Sequence, residues 1–342
     1  AVGQGLGLSA PLVAGAIISG AYFGDKMSPL SDTTNLAPAV AGTDLFTHIR
    51  HMVYTTGPSY LIAFSLYLVL GLHGGGGTQT PQTLASLQGT LQQTFWIHPV
   101  LLLAPLLVIL MVIRKVPALP ALLAGGLLGA MAALWAQGRT LAEVVTAAHQ
   151  GYVSHTGQAM VDELLSKGGL SSMMNTEALI LCALSFGGIM ERSGMLASLA
   201  RALLRRARST GSLVAATLGS CISMNLVAAE QYMAIVIPGR MFRQAFHDRG
   251  LHPKNLSRCL EDSATLTSPL IPWNSCGAFM AATLGISPWL YLPFAFLNLI
   301  NPLVSLFYGI TGWTMAPLQE TGTADPQART PDAAASAATD TP

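Results

Sequence analysis

Long apolar blocks, parted by short polar or basic stretches, set the pattern of this chain. A helix needs about 20 mostly apolar residues to cross the hydrocarbon of a bilayer. Uninterrupted candidates lie near residues 5–24, 52–72, 95–113, 117–136, 174–191, 209–229 and 288–316. Two further blocks are apolar but cut by prolines, hydroxyls and acids: 27–47 (MSPLSDTTNLAPAVAGTDLFT) and 260–286 (LEDSATLTSPLIPWNSCGAFMAATLGI). They predict broken or re-entrant helices, because irregular backbone at membrane depth survives only inside protein or along a cavity. The block 227–239 (VAAEQYMAIVIPG) is too short to span alone and carries Glu230 near its start.

Composition sharpens the class. The 342 residues are 51% hydrophobic and 10% charged, whereas soluble domains carry about 25% charged residues. The fold class is therefore an all-α polytopic membrane protein. Net charge is +1, and no basic tract has interleaved aromatics, so nucleic acid is excluded as a partner. Small solutes and the lipid bilayer remain. Cys182, Cys221, Cys259 and Cys276 form no CxxC pair and read as small structural hydrophobes.

Basic residues give an orientation, since positive loops stay in the cytoplasm. The stretches 114–115, 192–208 and 240–258 are basic, whereas 73–94 and 137–173 are poor in Lys and Arg. With both flanking loops cytoplasmic, 209–239 must enter and return, as a span plus a short segment or a hairpin. Leu196, Leu199 and Leu203 recur at helical spacing, which suits an interfacial amphipathic helix. From about 318 the sequence is rich in Ala, Thr, Pro and Asp and is expected to be a disordered cytoplasmic tail. At the other end, Ala1 falls inside an apolar block with no basic leader, the pattern of the later part of a longer transporter domain spanning 1–317 here.

The triplet SPL occurs at 28–30 and again at 268–270, with acids before and Pro and Asn after each copy. The flanking charge pattern makes the copies traverse in opposite senses. Inverted repeats with interrupted helices are how many secondary transporters build a midplane site. A carboxylate at the bilayer centre costs about 2.5–3.5 kcal/mol on insertion scales, so Asp25, Asp32, Glu230, Glu261 and Asp262 call for a use. Thr33, Thr34, Asn35, Thr265, Thr267, Ser268, Asn274 and Ser275 add oxygen donors suited to a hard cation such as sodium. A carboxylate that takes either a cation or a proton makes the two compete, which is the minimal chemistry of antiport.

Within these sets, Asp25, Asp32, Thr33, Thr34, Asn35, Asp262, Thr265, Ser268 and Asn274 are candidate ion or proton ligands, with sodium held through Asp32, Asp262 and Asn274. Lys26, Asn225, Glu230, Gln231, Glu261 and Ser275 are candidate cavity-lining residues. Lys26 suits charge balance rather than ligation, because an ammonium only donates. Glu261 is placed at the cytoplasmic mouth. His48, His51, His247 and His252 fall in cytoplasmic loops, and no HExxH spacing exists to hold a catalytic metal. No GxSxG elbow is present either, so a membrane enzyme is disfavoured and no cofactor is expected.

The stretches GAYFGDKMSPLSDTTNLAPAVAGTDLFTHIRHMVYTT, EQYMAIVIPGRMF and LSRCLEDSATLTSPLIPWNSCGAF resemble the NhaC-type sodium/proton antiporters of the ion transporter superfamily. The resemblance runs from about residue 3 to 316. It departs at Glu230, where an Asp is expected, and members begin well upstream of Ala1. It implies a bacterial inner-membrane secondary transporter exchanging sodium for protons. Related members exchange malate against lactate, so an organic-acid exchanger is the alternative. Homodimerisation is left open.

Overall fold

The computed structural model describes residues 8–29, 31–74, 81–114, 116, 118–158, 161–162 and 165–318. The expected disordered tail, apart from Leu318, lies outside these residues. The structure is almost wholly helical. Helix α1 (Ala10–Met27) stops at Ser28, and α2 (Asp32–Ala41) restarts after four residues. Then come α3 (Leu45–Gly74), α4 (Pro81–Thr94), α5 (Leu103–Ile113), α6 (Ala118–Trp135) and α7 (Leu141–Gln150). A two-residue antiparallel pairing of β1 (Gly151–Tyr152) with β2 (Lys167–Gly168) follows. The second half runs through α8 (Leu170–Arg192), α9 (Met195–Leu204), α10 (Thr210–Val227), α11 (Gln231–His247) and α12 (Pro253–Leu260). It ends with α13 (Ser275–Leu284), α14 (Pro288–Tyr291) and α15 (Phe296–Thr311).

Both SPL triplets sit where a helix gives way. At the first, Ser31 caps α2 by accepting the Thr34 N–H. At the second, α12 widens into a π turn over Glu261–Thr265, tightens into a 3-10 turn at Ser268–Leu270, and α13 restarts under an Asn274 cap. Proline explains both stops, since it lacks an N–H and disfavours helix in the residue before it. Short polar side chains then satisfy the free N–H groups of the next helix.

Among the described residues, Leu45–Leu72, Leu170–Arg192 and Thr210–Val227 are long and apolar enough to cross a membrane alone. Two pairs bent by nearly a right angle, 88–94 with 99–111 (88°) and 275–284 with 288–294 (87°), qualify only as pairs. These bends correct two expected spans. The block 95–113 is helical only from Pro99, where His98 caps the new turn. The block 288–316 is not one helix, because Pro293 removes a donor and Ala295 leaves helical geometry before α15 begins. The amphipathic stretch 192–208 forms α9, which buries Leu196 and Ala200.

The interior is organised around α10, whose Leu213, Val214, Leu218, Cys221 and Met224 pack with Ile235 and Phe242 of α11, Leu256 and Leu260 of α12, and Ala37 and Ala41 of α2. Close approach is set by glycine. A methyl at Gly309 would press into Val214 and one at Gly211 into Ile310, so α10 and α15 meet nearly backbone to backbone. Small residues at helix contacts are how bundles pack where lipid offers no hydrophobic contrast. A second cluster joins Ile18 and Tyr22 of α1 to Leu266, Leu270, Tyr291 and Ala295. It brings the broken part of the first half against that of the second.

Candidate functional site

The end of α1 meets the π turn after α12, and there ionisable groups lie out of water. Lys26, Arg258, Glu261 and Asp262 are each fully buried. The Lys26 ammonium donates to Asp262 Oδ1 in a buried ion pair. It also donates to Asn301 Oδ1 of α15 at 2.9 Å. Thr55 of α3 donates to the same Asp262 oxygen at 2.9 Å. Arg258 lies one turn before Asp262, with Nε 4.0 Å from Oδ2, and is held by the Thr314 hydroxyl at 2.9 Å and the face of Tyr308. Two segments distant in sequence, α1 and α3, therefore converge on one carboxylate, with α15 behind the Lys26 ammonium.

The π turn makes the convergence workable. One extra residue per turn rotates the chain and frees backbone bonds, and such bulges recur at functional sites. Asn225 of α10 compensates, donating to the Ala264 carbonyl at 2.7 Å and to Thr267 Oγ1 at 3.0 Å. Asn298 of α15 donates to the Leu266 carbonyl at 2.9 Å. Not every buried polar atom is matched: among the described residues, both Glu261 oxygens, Asp262 Oδ2, the Thr265 hydroxyl and Asn301 Nδ2 have no hydrogen-bond partner.

The first break is braced rather than open. Thr34 donates to the carbonyls of Asp25 and Lys26 at 3.0 and 3.1 Å, tying the start of α2 to the end of α1. Asn35 donates to the Pro29 and Ser31 carbonyls, and the Thr33 and Ser31 hydroxyls share a bond. Asp25 is half-buried and faces those two hydroxyls. Asp32 is exposed: one of its oxygens accepts the Thr33 N–H at 2.8 Å and the other accepts the Tyr232 hydroxyl.

Several placements correct the reading of the sequence. Asp32, Asp262 and Asn274 share no hydrogen-bond partner. Asn274 spends its oxygen capping Cys276 N and its amide on Asn225. Glu261 is not at a mouth but wholly enclosed. His48 and His51 are not loop histidines: they are buried on α3, paired with Ser257 at 2.8 Å and Asn255 at 3.1 Å. Glu230 caps α11, accepting the Tyr232 N–H. Gln231 accepts from Ser268 and Cys276. Ser275 fixes the start of α13 by donating its N–H to the Ala229 carbonyl at 3.0 Å.

Sequence reasoning missed Thr55, Arg258 and Asn301. Arg258 had one legible signal, since it precedes Asp262 by four residues and so shares its helical face. Counting it with the basic loop 240–258 hid that relation. Thr55 and Asn301 lie in apolar helices without a motif and become site residues only through tertiary contact.

Comparison with known proteins gives the family context. The model of the family described as "Na+/H+ antiporter family" matches residues 20–313. The Na(+)/H(+) antiporter NhaC of Alkalihalophilus pseudofirmus is 42% identical over 312 residues, 91% of this chain and 67% of that protein. The NhaC of Bacillus subtilis is 38% identical over 90% of this chain and 68% of its own length. The Malate-2H(+)/Na(+)-lactate antiporter of Bacillus subtilis is 36% identical over 91% of this chain and 67% of its own length. The chain thus spans about two thirds of the length of these relatives. No solved structure matches it significantly.

Proposed function

Since this chain belongs to the Na+/H+ antiporter family and exchanges sodium ions for protons, we propose that Asp262 is the cation-binding carboxylate and that the Lys26 ammonium stands where the transported cation binds. The supporting observation is the ion pair itself. The ammonium is surrounded by Asp262 Oδ1 and Asn301 Oδ1, with Thr55 on the same carboxylate. That mixed oxygen set suits a hard monovalent ion. Sodium reaching Asp262 has to displace Lys26, and a returning Lys26 expels sodium. Both steps are a competition for one carboxylate in a low-dielectric pocket, where pair interactions are strong.

The two broken segments, each stopping at SPL and restarting under a polar cap, support an inverted repeat whose halves meet at this pocket. The basic loops support a bacterial inner-membrane protein with the 192–208 and 240–258 segments in the cytoplasm. The organic-acid alternative finds less support: Lys26, the group able to meet a substrate carboxylate, is already committed to Asp262 and Asn301.

Everted vesicles with an acidified lumen and a pH-sensitive dye test this reading. Sodium alone is expected to release the quenched dye, and Asp262→Asn to abolish the response while the protein inserts normally. A response that needs malate or lactate, or an Asp262→Asn protein that exchanges sodium normally, would reject it.

A further inference from the structure

Glu261 is enclosed by protein, and among the described residues no donor meets either of its oxygens in hydrogen-bond geometry, although the Thr265 hydroxyl of its own turn faces it. Its neighbour Asp262 holds Lys26 and Thr55 and has Arg258 beside it. Two adjacent acids therefore sit in opposite environments. An ionised carboxylate buried without partners is far costlier than a neutral one, so the surroundings of Glu261 favour a neutral acid, whereas Asp262 has the Lys26 ammonium as its partner. Divergent surroundings of two neighbouring acids are what separate proton carrier from permanent anion.

The groups facing Glu261 determine how the pocket responds to loss of that proton. Lys26 and Asp25 of α1 face it, with Asp262 and the unpartnered Thr265 hydroxyl in its own turn. His48 of α3 approaches the same pocket beside Lys26. The other packed helices meet the rest of the break rather than Glu261 itself: Asn225 of α10 bonds Ala264, Gln231 of α11 bonds Ser268, Asn298 of α15 bonds Leu266, and Asn301 of α15 bonds Lys26.

Resting on the exchange reading above, we infer that Glu261 is the proton carrier and that Lys26 switches partner between the two acids. Sodium arriving at Asp262 strands the buried ammonium. Loss of the Glu261 proton to water creates a carboxylate beside it, which takes the ammonium and leaves sodium on Asp262. Reprotonation of Glu261 sends Lys26 back to Asp262 and sodium leaves. One O–H bond of Glu261 breaks and reforms per cycle, and its proton goes to and returns from water. Neither half-step is stable alone, and that mutual requirement is the coupling.

The test uses the full native protein in proteoliposomes, with two readouts: labelled-sodium exchange against unlabelled sodium, and sodium-driven proton movement. Glu261→Gln, which fixes the neutral form and so keeps Lys26 on Asp262, is expected to lower both sodium/sodium exchange and proton movement at least tenfold and to flatten the pH dependence of the sodium binding that remains. Glu261→Asp should recover part of the proton movement. Infrared difference spectroscopy of the wild type covers a Gln variant that fails to fold. Sodium should bleach a protonated-carboxyl band that shifts in Glu261→Asp. Unchanged proton coupling in Glu261→Gln, a pH-dependent sodium affinity retained in that variant, or no sodium-sensitive carboxyl band would each overturn the assignment. A wild type that moves no protons with sodium would instead reject the exchange reading itself.

Discussion

Lys26 is fully buried, and among the described residues its ammonium is matched by Asp262 and Asn301. Removing one partner of a buried ion pair leaves an uncompensated charge and typically costs about 3–5 kcal/mol, whereas replacing both partners by apolar groups is often neutral. Lys26→Ala and Asp262→Leu should each lower the thermal midpoint in detergent substantially. The double variant Lys26→Met/Asp262→Leu should recover most of the loss and remain unable to transport. A double variant as unstable as the singles would mean that the pair is not what balances charge in the pocket. The acids were legible in the sequence because apolar surroundings make a carboxylate conspicuous. Their pairing was not, since nothing in an isolated Lys26 tells which of several acids lies 236 residues away in sequence.

At the level of elements, α12 delivers both acids, and its start depends on His252. The imidazole Nδ1 accepts the Lys254 N–H at 3.1 Å, so the cap needs neutral histidine. Desolvation and the Lys254 charge hold the His252 pKa below its ordinary value, against a smaller opposing pull from Asp44. The folded chain thus binds fewer protons than the unfolded one near neutrality, and stability rises with pH there. The cap contributes fully above the ordinary histidine range and is lost as pH falls through the lowered folded value. Amide protection at the start of α12 should drop on acidification, and His252→Asn, which caps without titrating in this range, should remove that pH dependence. An unchanged profile in the Asn variant would exclude the cap as its source. The helix breaks were readable from proline and its polar neighbours. The π turn was not, because LEDSATL reads equally well as regular helix, and the Asn225 and Asn298 amides that meet its carbonyls come from distant helices.

Across the whole molecule, long apolar helices turn most of their surface outward. Only 22% of the apolar window of Leu45–Leu72 and 17% of that of Leu170–Arg192 are buried, against 56% for Thr210–Val227 at the centre. Cys182 lies exposed on the outward α8, whereas Cys221 and Cys259 are buried. Since a thiol reacts as the thiolate, which lipid disfavours, a polar maleimide should leave Cys182 unlabelled in intact proteoliposomes and modify it after solubilisation and unfolding. Prompt labelling in the bilayer would place that face of α8 in water. The placement of Lys26 between two acids also has an electrical consequence. With one Glu261 proton given up per sodium taken, the pocket holds the same charge loaded and empty, and membrane voltage has no lever on the exchange. A second proton, shed by a Lys26 that finds no anion, would move one charge per turnover, on which 100 mV does about 2.3 kcal/mol of work. The current that accompanies sodium therefore counts the protons, and with them the partners that Lys26 finds.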